Sequence, residues 1–204
     1  MLDNANARRS LARFIDPVAR LMLRMKVTPD GITWFGCAAT IFISFAFLAQ
    51  GEFLIGALLF GAFGLIDLLD GTMARMLGTA GPWGAFLDST LDRISDAAVI
   101  CALIYFYINS ESSKSQLAVV AGIVALVMSL MTSYARAKAE SLDAKCTVGI
   151  AERAERNLLI WVSLLISALF ADVMPYALAL LAVLSTVTVI QRILFVRKQL
   201  VLQA

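Results

Sequence analysis

The sequence predicts an all-α integral membrane protein, with six transmembrane helices preceded by an N-terminal amphipathic juxtamembrane helix. Three observations predict it. Hydrophobic residues fill 60% of the 204 positions and charged residues only 16%, an apolar share above that of water-soluble domains. Six apolar segments of about 20 residues, the length that crosses a bilayer core, succeed one another through short connections. Of the 17 Lys and Arg residues, only Lys114 falls in a connection on one of the two sides that this alternation defines.

The elements follow in order. Residues 5–26, "ANARRSLARFIDPVARLMLRMK", repeat Leu11, Phe14, Ile15, Val18, Leu21 and Met22 at helical spacing, with Arg8, Arg9, Arg13, Arg20 and Arg24 among them. A basic amphipathic helix of this kind lies on an anionic membrane face; an ordinary helix covering the cytoplasmic loops is the alternative. Residues 1–31 form this helix and its lead-in, and residues 32–204 form one membrane domain. Its spans fall near 32–50, 53–75, 84–109, 116–138, 154–172 and 175–197.

The connections "AQGEF", "INSESSKSQ" and "FADVMP" are short and poor in basic residues, whereas "RMLGTAGPW", "RAKAESLDAKCTVGIAERAER" and both ends of the chain are rich in them. Basic residues mark the cytoplasmic side, so both termini are expected there, in the plasma membrane. Arg197 and Lys198 in the closing "RILFVRKQLVLQA" fit that rule without further function. Trp34 and Trp83, near cytoplasmic span ends, suit an interfacial belt.

Several chemistries are excluded or disfavoured by composition. Cys37, Cys101 and Cys146 have no ligand-like spacing and read as packing residues. With no histidine in the chain, acid–base work falls to carboxylates. No apolar stretch followed by a small-residue cleavage site opens the chain, so no removable signal peptide is expected. No nucleic-acid partner is expected.

Against that background, "DLLDGTMARMLGTAGPWGAFLDSTLD" at residues 67–92 stands out. If the second span is helical, Asp67, Asp70, Gly71, Ala74 and Arg75 share one face; on the third, Gly84, Asp88 and Asp92 do so. The short link between the spans makes them antiparallel neighbours, bringing four carboxylates toward one end. Ionised carboxylates in a membrane domain are costly and repel one another. About two divalent cations balance them, and Mg²⁺ prefers such oxygen ligands, which favours a two-metal phosphoryl-transfer site. A proton or cation pathway and structural pairing with Arg75 or Arg93 remain open on spacing alone.

The spacing D-x2-D-G-x2-A-R-x8-G-x3-D-x3-D resembles the signature of the CDP-alcohol phosphotransferases, membrane enzymes that join a CDP-linked lipid or alcohol to a second alcohol and release CMP. Every fixed position is present, as Asp67, Asp70, Gly71, Ala74, Arg75, Gly84, Asp88 and Asp92. "LMLRMKVTPDGIT", "DRISDAAV", "SYARAKAE" and "ERAERNLLI" further resemble the actinobacterial phosphatidylinositol phosphate synthases, which use CDP-diacylglycerol and myo-inositol phosphate.

The resemblance implies specific roles. Asp67, Asp70 and Asp88 would ligate two Mg²⁺ ions, with Mn²⁺ as an alternative, and Asp88 would bridge them. Asp92 would border the metals and act as general base. CDP-diacylglycerol would be bound by Asp30, Gly31, Ile32, Thr33, Gly71, Ala74 and Arg75, with Arg75 on the pyrophosphate. A threonine that the family places six residues after the arginine is Gly81 here, and Thr79 stands two residues away as its substitute. The resemblance also implies a homodimer.

For the acceptor, Arg136 and Lys138 on the fourth span, Arg153 and Arg156 opening the fifth, and Arg192 within the sixth point to an anionic molecule, because phosphate favours Arg and Lys donors. Ser133, one turn before Arg136, is a hydroxyl partner for the same phosphate. The resemblance matches Arg156 and Arg192 to acceptor-phosphate residues. Phosphatidylinositol phosphate synthesis is the leading expectation and the same reaction with glycerol 3-phosphate the alternative. A cation transporter needs acidic residues along a path to the far side, where only Glu52, Glu111 and Asp172 occur, all in connections.

Overall fold

Long apolar runs can satisfy their backbone in lipid only by closing helical hydrogen bonds within themselves, and helix is what these runs form. The computed structural model describes the backbone of residues 5–203, and their side chains except those of 5–14, 65–68 and 202–203. The helices among the described residues are α1 (Ala5–Arg24), α2 (Pro29–Ala46), α3 (Phe53–Leu77), α4 (Pro82–Ile108), α5 (Ser115–Glu140), α6 (Arg153–Leu169) and α7 (Met174–Gln203), with a 3₁₀ turn at Leu48–Gln50. No strand occurs among the described residues.

Among the described residues, four stretches are long and apolar enough to cross a membrane: Pro29–Gln50, Phe53–Leu77, Ser115–Glu140 and Met174–Val201. The two other expected spans are also helical but differ in kind. α4 runs for 27 residues and carries Asp88, Asp92, Arg93 and Asp96 between its first turns and its middle. α6 has 17 residues, about 25 Å at the helical rise.

Helix ends have local causes. Thr28 caps α2 by accepting the Gly31 N–H at 3.1 Å, and Pro29 follows at the first helical position, where its missing N–H costs nothing. α1, α3 and α5 end alike: Val27 N–H reaches Met22 C=O, Thr79 N–H reaches Ala74 C=O and Ala144 N–H reaches Ala139 C=O. Each bond spans a left-handed residue, Lys26, Gly78 or Asp143, the geometry that reuses the last orphan carbonyls of a helix.

The chain divides into two compact units, residues 1–43 with 58–95, and residues 44–57 with 96–204. In the first, α1 lays Ile15, Ala19, Met22 and Leu23 against Ile32, Leu69 and Met73. Val18 and Leu21 stay exposed on the same helix, as does Met25 in the turn after it. Leu11, Phe14, Arg8, Arg9 and Arg13, expected on its two faces, fall outside the described side chains. Cys37 and Ile41 pack on Leu87 and Leu91, joining α2 to α4.

In the second unit α5 buries a line of small residues, Ala118, Ala121, Gly122, Ala125, Ser129 and Thr132. Small side chains let helix backbones approach closely where lipid supplies no hydrophobic drive. The Ser129 hydroxyl lies 3.4 Å from that of Ser185 on α7. A Cβ on Gly122 would stand 2.6 Å from Ile104 Cγ1 of α4. All three cysteines are free thiols, Cys37 and Cys146 being buried among apolar neighbours, as expected of packing residues.

Candidate active site

The carboxylate motif sits on helical backbone throughout, so the one-face argument for each helix holds: Asp67, Asp70, Gly71, Ala74 and Arg75 are on α3, and Gly84, Asp88 and Asp92 on α4. Asp70 and Asp92 are only 9% and 8% exposed. A carboxylate so far from water needs donors or cations around it. Thr33 of α2 supplies one: its hydroxyl is 2.8 Å from Asp70 Oδ2 and 3.1 Å from Pro29 C=O. The Gly71 N–H donates to Asp70 Oδ1.

Asp30, one turn before Thr33, accepts the indole N–H of Trp83 at 2.8 Å, tying the first turn of α2 to that of α4. Trp34 and Trp83 are themselves largely exposed, as an interfacial pair would be. Arg75 is exposed and bonds Thr72 at 3.0 Å. Arg93 donates to the Ser89 carbonyl at 2.6 Å and lies 3.7 Å from Asp92 Oδ2. The carbonyl is therefore its main anchor, and the ion pair with Asp92 is the looser contact. Ile32 is buried and Gly31 exposed.

The donor set suits a hard divalent cation, being all carboxylate oxygen and partly removed from water. Among the described residues no three acidic side chains already form an ion cage, and the side chain of Asp67 lies outside the described ones. Gly81 is exposed, and Thr79 occupies the turn after α3, where its N–H closes the helix end.

The expected acceptor cations fall into four settings, all in the second unit. Arg153 and Arg156 share Asp96: Arg153 Nε is 3.5 Å from Oδ1, and an Arg156 terminal nitrogen is 3.9 Å from Oδ2. Arg156 is buried and also donates to the Ala151 carbonyl at 3.1 Å. Arg192, 3% exposed, donates to the carbonyls of Thr132 at 2.5 Å and Val148 at 3.0 Å. Arg136 is half-exposed and pairs with Glu140 at 2.9 Å. Lys138 is exposed and Ser133 half-buried.

Asp96 and Asn157, whose amide approaches Asp96 at 3.4 Å, were not anticipated. The signal for Asp96 was present, since it continues the four-residue spacing of Gly84, Asp88 and Asp92 by one more step.

Comparisons with known proteins identify the family. The model of the CDP-alcohol phosphatidyltransferase family matches residues 26–200. The chain is 38% identical to the phosphatidylinositol phosphate synthase of Cutibacterium acnes, over 92% of its own length and 94% of that protein's. It is 40% identical to the archaetidylinositol phosphate synthase of Methanothermobacter thermautotrophicus, over 93% and 92%. The crystal structure of Mycobacterium tuberculosis phosphatidylinositol phosphate synthase with CDP-DAG bound superposes with a TM-score of 0.85 at 36% identity, covering 91% of this chain and 94% of that one. Another structure of the same enzyme, in complex with manganese and citrate, gives 0.83, covering 88% and 87%. With the signature aspartates on two successive helices and a match that spans almost its whole length, the chain belongs to the CDP-alcohol phosphatidyltransferase family.

Proposed function

We propose that this protein transfers the phosphatidyl group of CDP-diacylglycerol to a hydroxyl of myo-inositol phosphate, giving phosphatidylinositol phosphate and CMP. The observation that carries the reading is the complete aspartate signature, with Asp70 and Asp92 buried on helices and Asp70 held by Thr33. Relatives with 36–40% identity named for inositol phosphate lipids support the choice of acceptor. Glycerol 3-phosphate is the alternative acceptor, and no observation favours it.

In this reading Asp67, Asp70, Asp88 and Asp92 hold two Mg²⁺ ions, or Mn²⁺ in their place. When bound, the ions neutralise charge on the pyrophosphate and on departing CMP. Asp92 takes the proton of the acceptor hydroxyl as its oxygen attacks the β-phosphorus in line and the bond to CMP breaks. Thr33 fixes the rotamer of Asp70 through its hydroxyl, and Trp83 fixes that of Asp30. Gly31, Ile32, Gly71, Ala74 and Arg75 line the CDP-diacylglycerol, Arg75 meeting its pyrophosphate, with Thr79 serving in place of the threonine absent at Gly81. Ser133, Arg136, Lys138, Arg153, Arg156 and Arg192 receive the acceptor phosphate. Positioning and charge stabilisation supply most of the rate.

The same reading gives the protein six membrane spans, α4 and α6 being the two with polar faces, and places it as a homodimer in the plasma membrane with both termini and the active site cytoplasmic. Residues 1–31 form an interfacial segment: α1 and the turn after it leave Val18, Leu21 and Met25 exposed, three apolar side chains available to acyl chains. Residues 32–204 form the catalytic domain.

The test is CMP release by the purified, lipid-reconstituted protein with CDP-diacylglycerol and Mg²⁺, offered myo-inositol phosphate, free myo-inositol and glycerol 3-phosphate in parallel. Release with inositol phosphate alone supports the reading. Preference for glycerol 3-phosphate overturns the acceptor assignment, and no release with any acceptor overturns the catalytic one.

A further inference from the structure

Resting on that reading, we propose that one face of α7, with Thr188 and Gln199 as its positioning residues, is a clasp that fixes the α5–α6 connection and so presets the arginines of the acceptor site. The connection, residues 141–152, contains no helix or strand. Left to itself, such a segment would sample many conformations and carry Arg153 and Arg156 with it.

Its backbone polar groups are instead met by α7 side chains. The Lys145 N–H donates to Gln199 Oε1 at 3.1 Å and the Gln199 amide donates back to the Lys145 carbonyl at 2.7 Å, a two-way pairing of the kind strands make with each other. Arg192 donates to the Val148 carbonyl, and the Ala151 N–H donates to the Thr188 hydroxyl at 3.1 Å. Positions 188, 192 and 199 recur on one helix face. Val196 and Leu200 on that face pack against Ala139, Ala144 and Cys146, so the polar ties close over an apolar patch.

Gly149 shows how closely the segment lies on α7. Its φ is +145°, and a Cβ there would stand 2.6 Å from Thr188 Cγ2, so a side chain is barred both by space and by backbone conformation. The last tie reaches the site itself: Ala151, bonded through its N–H to Thr188, gives its carbonyl to Arg156. Arg156 and Arg153 then meet Asp96. Two buried or half-buried cations are thus held in place before any acceptor arrives, and a binding group ordered beforehand loses less freedom on binding. Gln199 acts only through the connection.

The test measures steady-state constants and backbone amide exchange on Gln199→Ala, Thr188→Val and Thr188→Ser in the full chain. Gln199→Ala and Thr188→Val are expected to raise KM for the phosphorylated acceptor by about fivefold, the equivalent of one net hydrogen bond, with kcat and KM for CDP-diacylglycerol unchanged. Thr188→Ser keeps the hydroxyl and is expected to behave as the wild type. Amides 145–151 in Gln199→Ala are expected to exchange about fivefold faster or more, with no substrate present.

Wild-type preference for another phosphorylated acceptor would correct the substrate while leaving the clasp to be judged on that acceptor's KM. Unchanged exchange in Gln199→Ala overturns the clasp whatever the substrate is. Faster exchange with an unaltered acceptor KM, or a fall in kcat alone, overturns its positioning role.

Discussion

Asp70 and Asp92 place carboxyl groups where burial penalises charge, and their neighbours show what makes that tolerable. Thr33 donates to Asp70 from a different helix, so replacing it by valine removes one donor to a buried carboxylate while keeping the shape. Thr33→Val is expected to lower kcat/KM for CDP-diacylglycerol by about tenfold, since hydrogen bonds to charged groups are worth about 1.5–3 kcal/mol. Asp92→Asn is expected to cut CMP release by about 10²–10⁴-fold, the scale of a lost general base, while CDP-diacylglycerol binding, followed by calorimetry, survives. Asp96→Ala removes the carboxylate shared by Arg153 and Arg156 and is expected to lower the melting temperature in detergent, as loss of a buried ion-pair partner does. The motif aspartates were legible in the sequence because their chemistry requires one residue type at helical intervals. The partners of Arg192 were not, because main-chain carbonyls carry no residue identity.

At the scale of elements, helix identity was readable and helix ends were less so. The run around 175–197 was expected to stop near Arg197, yet α7 continues to Gln203: a helix need not end where its apolar stretch does, since Gln199 is satisfied by the connection it grips. Of the three left-handed helix ends, Gly78 is marked by its residue type, whereas Lys26 and Asp143 are not. Close packing of α4 on α5 depends on Gly122, where an added Cβ meets Ile104 at 2.6 Å. Gly122→Leu is therefore expected to destabilise the protein by about 1–3 kcal/mol, the usual cost of overpacking, read as a fall in thermal midpoint in detergent.

For the whole molecule, the apolar share of the sequence and its charge asymmetry foretold a helical membrane protein, and among the described residues four helices meet the length and composition that a span requires. α4 escapes that description because it carries Asp88, Asp92, Arg93 and Asp96. Chelation of divalent cations is expected to abolish CMP release and added Mg²⁺ to restore it, because the buried carboxylates need cations to receive a pyrophosphate. The most direct test of the account is mass analysis of the lipid formed from CDP-diacylglycerol and myo-inositol phosphate by the reconstituted protein, with CMP counted in the same samples. The account predicts phosphatidylinositol phosphate in a one-to-one ratio with CMP; CMP without that lipid, or phosphatidic acid in its place, would contradict it.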